Sequence, residues 1–246
     1  MPKTAIIGGS GLSSFSSLRQ VREHRPVTAY GQTSAPILEG RVGETLVYFL
    51  ARHGHDHSIP PHRVNYRANI AALKELGVED VMAITAVGGL APTTGPRRIV
   101  IPDQIIDYTY GREHTFSDGL DRTVHHIDFT SPYSDRLRQE LLRAAASIDF
   151  PVETTGIYGA TQGPRLETAA EIQRMARDGC TIVGMTGMPE ASLAREAGLD
   201  YMNCSFVVNW AAGIAGGTID MDELNEHLSA GIEDVIKLTM TWLEQR

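Results

Sequence analysis

The sequence predicts an α/β protein, on three observations. Short apolar runs of strand length alternate with longer segments whose apolar residues recur at helical spacing. Glycine-rich turns follow many of the apolar runs, and the chain holds 24 glycines in 246 residues. Hydrophobic residues make up 42% and charged residues 21%, an ordinary composition for a chain that builds a packed core. At this length a fold buries roughly 70–75% of the unfolded surface. A disulfide-stapled miniprotein, a disordered chain and a collagen-like repeat are thereby excluded.

The elements follow in order. TAII (4–7) reads as a short buried strand that runs straight into GGSGL. LVYFLA (46–51) is a second strand, ended by Arg52, His53 and Gly54. Residues 65–76 have helical spacing, with Gly77 as the stop. VMAITAV (81–87) is a strand closed by two glycines. IVIPDQII (99–106) reads as one strand, with Pro102 marking an edge or a bulge. Residues 111–133 are polar, rich in His and Asp, and read as a long functional loop. Helices are expected at 134–147, 166–177, 188–198 and 221–246, the third with Pro189 in its first turn. Strands are expected at 156–161, 181–185 and 204–208. No repeat, linker or low-complexity stretch divides the chain, so residues 1–246 are expected to form one domain, its helices covering a largely buried sheet.

Charge narrows the partners. Lys and Arg total 22 against 30 Asp and Glu, a formal charge of -8. No basic stripe marks a nucleic-acid surface, so no nucleic-acid partner is expected. An anionic ligand needs local donors that overcome an unfavourable overall field. No apolar run approaches the roughly 18 residues of a membrane span. The opening MPKTAIIGG lacks the pattern of a signal peptide, and the cytoplasm is the default expectation. Cys180 and Cys204 sit in apolar surroundings and read as two buried, reduced thiols.

Many unusual residues fall just beyond predicted strand ends. In open α/β sheets that is where ligands bind. Five segments therefore converge on one expected pocket: GGSG, RHG, TAVGG, GMTGMPE and VVNWAAG. Glycines at 8, 9 and 11 let backbone N–H groups approach an anion, and Ser10 adds a hydroxyl. A tight packing turn explains the same motif equally well. It is no dinucleotide fingerprint, because Ser14 stands where the third glycine belongs. Arg52 can fork onto two phosphate oxygens, with His53 adding a donor. Thr85, Ala86 and Thr186 offer hydroxyls and backbone N–H groups. Asn209 can donate and accept at a purine edge or close an ordinary turn. Glu190 can bond a ribose hydroxyl or cap the helix it begins. His53, His55 and His57 alternate and would share one side of an extended segment, as in metal hydrolases. No second ligand motif accompanies them, so no metal site is expected.

The stretches AIIGGSGL, LARHGHDHSIPPHRVNYRANIAALKELG, ITAVGGL, IPDQIIDYT, TQGPRLET, GMTGMPEASLAREAGL and VVNWAAG, in this order, resemble the methylthioadenosine phosphorylase branch of the purine nucleoside phosphorylases. The resemblance covers nearly the whole chain. It implies a three-layer α/β/α phosphorylase-type fold with a mixed, partly barrelled central sheet. It implies cleavage of a purine nucleoside by inorganic phosphate, a co-substrate, with no metal or organic cofactor. It implies a homo-oligomer, a trimer or paired trimers, with sites at subunit boundaries.

Carried over by position, Ser10, Arg52, His53, Thr85, the Ala86 backbone and Thr186 would hold phosphate. Met185 would meet the ribose through its backbone. Asn209, Trp210 and Ala211 would face the base, with Leu166 and Glu167 shaping its pocket. Met221 and Leu224 would line the 5′ pocket, and His126 would reach the 5′ group of a neighbouring subunit. The catalytic residues expected are Asn209, Arg52 and His53. Adenine-specific relatives carry Asp at the positions of Asn209 and Ala211. An amide at 209 and no acceptor at 211 point to hypoxanthine rather than adenine. Met221 and Leu224 suit a thioether, so a methylthioinosine-like nucleoside is expected ahead of inosine or guanosine, and ahead of methylthioadenosine. The rival readings are a nucleosidase using water, a metal hydrolase built on HxHxH and a nucleoside-binding protein without turnover.

Overall fold

The computed structural model describes residues 2–117, 124–216 and 218–246. In chain order its strands are β1 (Thr4–Gly8), β2 (Arg19–His24), β3 (Val27–Thr28), β4 (Gly31–Gln32), β5 (Ile37–Val42), β6 (Thr45–Ala51), β7 (Asp80–Gly89), β8 (Ile99–Val100), β9 (Gln104–Asp107), β10 (Val152–Glu153), β11 (Ile157–Ala160), β12 (Ile182–Gly184) and β13 (Asp200–Trp210). The helices are α1 (Tyr66–Glu75), α2 (Asp135–Ser147), α3 (Ala169–Arg177), α4 (Gly187–Glu196) and α5 (Met221–Glu244).

Four parallel strands, in the order β6-β1-β7-β13, make the centre of a large mixed sheet. Their side chains are buried on both faces, so they read as continuous apolar runs rather than alternating ones. Parallel pairing in register aligns their carboxyl ends: Gly8 lies opposite Ala51, and Thr85 opposite Ser205. The residues that follow each strand are thus delivered to one end of the sheet.

On one side the sheet curls into a closed ring. β7 pairs with both β13 and β12, β12 with β11, and β11 with β9. β8, two residues of the same segment before Pro102, returns to β13. Pro102 lacks an N–H for the ladder, so the single strand expected over 99–106 splits into β8 and β9, each with its own partner. That break lets one segment turn the corner and close the ring.

Four of the five helices pack as two pairs, α1 with α4 and α2 with α5. Asn65 caps α1 and Ser134 caps α2 through side-chain oxygens. α3 starts later than the spacing predicts, at Ala169, because Thr168 and Glu171 form a reciprocal capping box there. The residues before it hold neither helix nor strand, and Pro164, Leu166 and Glu167 among them become part of a cavity wall. Residues 111–117 and 124–133 hold neither helix nor strand, as the composition predicts. No described helix is long and apolar enough to cross a membrane.

Candidate active site

A cavity of about 470 Å³ opens at the carboxyl ends of the parallel strands. Ser10, Arg52, His53, Thr85, Ala86, Met185, Thr186, Asn209, Ala211, Leu166, Glu167, Met221 and Leu224 all line it. Two expected residues do not. Trp210 borders a separate, smaller cavity of about 110 Å³, since its ring packs on Gly95. His126 is exposed and lies outside the cavity of its own chain.

Arg52 follows β6 directly and is fully buried. Its Nε and Nη2 fork onto the two oxygens of Glu190 at 2.6 and 2.8 Å, and Nη1 donates to the Ile84 carbonyl. Burial pulls the guanidinium pKa down, but the Glu190 carboxylate more than reverses this, so the pKa stands raised. The forked edge expected for phosphate is therefore occupied. Of five N–H donors, the two without a protein partner remain for a ligand. Glu190, also fully buried, takes neither role foreseen for it. It is the counter-ion of Arg52 and accepts a hydrogen bond from Tyr201 at 2.9 Å. Gly9 makes this packing possible: a Cβ there would lie 2.6 Å from the Ile84 carbonyl oxygen and 3.0 Å from Arg52 Nη1.

Of the three alternating histidines, His53 and His57 come together at the cavity and His55 does not. Left-handed backbone at Gly54 (φ 81°) and His57 (φ 55°) coils the segment into turns. His53 is buried and donates Nδ1–H to the Ile59 carbonyl at 2.8 Å. Burial, aided by the Arg52 charge, holds its pKa down to about 4. At neutral pH its ring is uncharged, and Nε2 keeps a lone pair. It is thus an acceptor there, not the donor that the sequence suggested. His55 is exposed. His57 faces the cavity, with Nε2 3.0 Å from Ser10 Oγ and its ring 4.7 Å from that of His53. Among the described residues no three His, Cys, Asp or Glu side chains group as metal ligands.

Thr85 is held from behind. Its hydroxyl donates to Asn203 Oδ1 and lies 3.1 Å from Ser205 Oγ, both on the neighbouring β13. Thr186 follows β12 at the same space, and extended backbone at Met188 (φ -119°, ψ 141°) delays the helical turns of α4 until Pro189. β13 carries a bulge between Val207 and Asn209. Strict alternation would turn Val208 and Asn209 to opposite faces, but both reach the cavity. The bulge leaves the Val208 carbonyl to accept from His227 Nδ1 at 2.9 Å. Asn209 Nδ2 donates to the Trp210 carbonyl at 2.7 Å, which orients the amide. One N–H and the side-chain oxygen remain for a ligand. Glu167 Oε1 accepts from Thr161 at 2.6 Å, while Oε2 has no donor among the described residues.

Neither cysteine takes part. Both are free and buried, and burial pushes the Cys204 thiol up to about 12. The sequence reading did not single out several of these residues. Tyr201, Asn203 and His227 carry no local motif, and His57 enters the sequence only as one of three alternating histidines.

Residues 3–244 match the family described as the phosphorylase superfamily. The chain is 53% identical over 221 residues to a probable S-methyl-5′-thioinosine phosphorylase of Xylella fastidiosa, covering 89% of this chain and 93% of that protein. It is 45% identical over 245 residues to a 6-oxopurine nucleoside phosphorylase of Pyrococcus furiosus, covering 98% and 91%. Its fold superposes on methylthioadenosine phosphorylase from Schistosoma mansoni in complex with tubercidin with a TM-score of 0.93 and 32% identity, covering 100% of this chain and 91% of that one.

Proposed function

The chain belongs to the phosphorylase superfamily, and from that premise we propose that it cleaves S-methyl-5′-thioinosine with inorganic phosphate, releasing hypoxanthine and 5-methylthioribose 1-phosphate. The observation that carries this reading is a single cavity lined by Arg52, Thr85 and Thr186 together with Asn209, Glu167 and Met221. Asn209 pairs with Gly88, three residues beyond Thr85 on β7. That is about 10 Å along the strand, room for a ribose between a phosphate at one and a base at the other.

The base-side groups favour a 6-oxopurine. Such a ring carries an N–H at position 1, which Glu167 Oε2 can accept. Adenine offers a lone pair at that position and would face the carboxylate with no proton between them. The Asn209 amide donates toward O6 or N7 and stabilises the purine as it leaves. Ala211 supplies no acceptor for a 6-amino group. Unpaired polar groups in such a site cost about 1–3 kcal/mol each.

Phosphate would rest on Ser10, Thr186 and the free N–H groups of Arg52, and the Thr85 hydroxyl, whose proton is held by Asn203, can accept from a phosphate O–H. Neutral His53 accepts, so it suits the O–H of monohydrogen phosphate. As the bond from the anomeric carbon to the purine nitrogen lengthens, positive charge grows on the sugar. A phosphate oxygen then bonds to that carbon, and the departing pair stays on the purine. No protein nucleophile enters, and the reading calls for no metal or organic cofactor.

Met221 and Leu224 give the 5′ side an apolar lining, suited to a methylthio group and poor for a hydroxyl without a partner. Leu166 and Met221 line the cavity yet are 39% and 54% exposed. This supports the homo-trimeric arrangement, in which a neighbour, including its His126, covers the mouth. Two buried free thiols fit a reducing cytoplasm.

Initial rates with methylthioinosine, methylthioadenosine and inosine, each with and without phosphate, test the proposal. Phosphate-dependent cleavage led by methylthioinosine is expected. Cleavage indifferent to phosphate overturns it, and light scattering that finds a monomer overturns the trimer.

A further inference from the structure

We infer that Arg112, which does not touch the cavity, is the positioning residue that holds two of its walls at a fixed separation. The inference rests on the proposed function for its substrates, but on different atoms. Arg112 leaves the polar 111–133 segment and is 8% exposed. No described carboxylate forms an ion pair with it. Its donors go almost entirely to backbone carbonyls. Nη2 donates to the Thr161 and Gln162 carbonyls at 3.1 and 2.8 Å. Nη1 donates to the Met185 and Met188 carbonyls at 2.9 and 2.6 Å and lies 3.4 Å from the Tyr66 hydroxyl. Nε donates to Gln162 Oε1 at 3.1 Å. Every N–H of the guanidinium is engaged, so none is left for a substrate.

The two pairs of carbonyls belong to different walls. Residues 161–162 lead into Pro164, Leu166 and Glu167, the base side. Residues 185–188 include Met185 and Thr186, the sugar and phosphate side. That second turn is held from both directions: Arg112 takes its carbonyls, while the Thr186 N–H donates to the Tyr158 hydroxyl at 3.4 Å. The walls leave the paired strands β11 and β12, whose ladder ends with the Thr161 N–H on the Gly184 carbonyl at 2.8 Å. Beyond that point no backbone hydrogen bond among the described residues joins them, and side chains are left to set their spacing. A planar cation with five fixed donors sets it, and a lysine, with a point charge and three rotatable donors, cannot span the same acceptors. Burying a cation without a counter-ion is costly unless its hydrogen bonds are complete, which is the state seen here.

The test compares wild type with R112A and R112K by the ratio of kcat/KM for methylthioinosine to that for methylthioadenosine. This ratio does not depend on the fraction of enzyme that is folded, so a merely structural role leaves it unmoved. We expect it to fall at least fivefold in both variants, with kcat/KM for methylthioinosine down at least tenfold. Guanidinium at tens of millimolar should restore part of the ratio to R112A and leave wild type unchanged. A folded variant with the wild-type ratio overturns the inference. If R112A does not fold, R112K, which keeps stem and charge, decides on the same criterion. Calorimetric affinities for hypoxanthine and adenine in the same proteins read the Arg112 effect without turnover. Wild type that binds hypoxanthine but shows no phosphate-dependent cleavage therefore sinks the proposed function, while an unchanged hypoxanthine-to-adenine affinity ratio in R112K sinks this inference.

Discussion

The two sides of the cavity are built in opposite ways. On the side assigned to phosphate, Arg52, His53, Thr85 and Thr186 are all buried, and each of the first three is gripped by a second residue. On the side assigned to base and 5′ group, Leu166 and Met221 are exposed and Glu167 and Leu224 only partly covered. A fixed charge must be desolvated and paired before it can act, so the first side is welded to the core. Shape and hydrogen-bond preference need no such burial, so the second side is free to set which nucleoside fits. Substitutions on the first side should therefore damage fold and reaction together. Those on the second should change preference and spare the fold.

The strongest way to break this contrast is Glu190→Gln. It leaves a buried guanidinium without its counter-ion, which costs about 3–5 kcal/mol. For a chain of this size that lowers the melting temperature on the order of 10 °C. The KM for phosphate should rise as well, because the Arg52 fork loses its anchor. A stable variant with normal phosphate kinetics would show that the pair carries neither burden.

His53 sharpens the same side through pH. Its folded pKa of about 4 lies below the ordinary 6.5. Above pH 6.5 the ring is neutral folded or unfolded and costs nothing. As pH falls from 6.5 toward 4, the unfolded chain binds a proton that the folded one refuses, so stability drops, by roughly 3 kcal/mol once the window is crossed. Thermal melts from pH 7 to pH 4 should show a steeper decline in wild type than in His53→Asn. Parallel curves would mean that His53 is not held neutral.

On the open side, Asn209→Asp should leave the melting temperature nearly unchanged and raise the methylthioadenosine-to-methylthioinosine ratio of kcat/KM. One exchanged hydrogen-bond pair, about 1–3 kcal/mol, is worth roughly ten- to hundredfold. An unchanged ratio would remove Asn209 from base selection.

The contrast also explains what was legible in the sequence. The parallel centre was readable because strands buried on both faces leave unbroken apolar runs, such as LVYFLA and VMAITAV. The antiparallel edge was not: β2 is exposed along nearly its whole length and reads RQVREH, with no apolar stretch to mark it. Strand-end residues such as Arg52 and Thr85 were found because topology alone brings them together. What pairs with them was not, since the Arg52–Glu190 contact joins residues 138 apart and no local pattern encodes it. Arg112 was hidden in the same way, a cation in a polar segment whose acceptors are mostly backbone carbonyls that any residue supplies. The shared side holds for His53 and His57 but not for His55, because turns with left-handed backbone at Gly54 and His57 replace the extended segment that would have aligned all three.

The smallest effect should come from the 5′ wall. Met221 opens α5, just after its Asp220 cap, and is more than half exposed. Met221→Ser removes apolar contact there without emptying the core, so its melting temperature should match wild type. A pocket that loses one such contact discriminates less by about 1–2 kcal/mol, so the methylthioinosine-to-inosine ratio of kcat/KM should fall roughly tenfold, with the KM for phosphate unmoved. Leu224→Ser, one turn along the same helix and better covered, should do the same and cost some stability besides. If both substitutions instead raised the KM for phosphate, the two sides would be coupled through the cavity floor. The division between a welded side and a tunable one would then be wrong, because the 5′ wall would be setting the position of the buried charges.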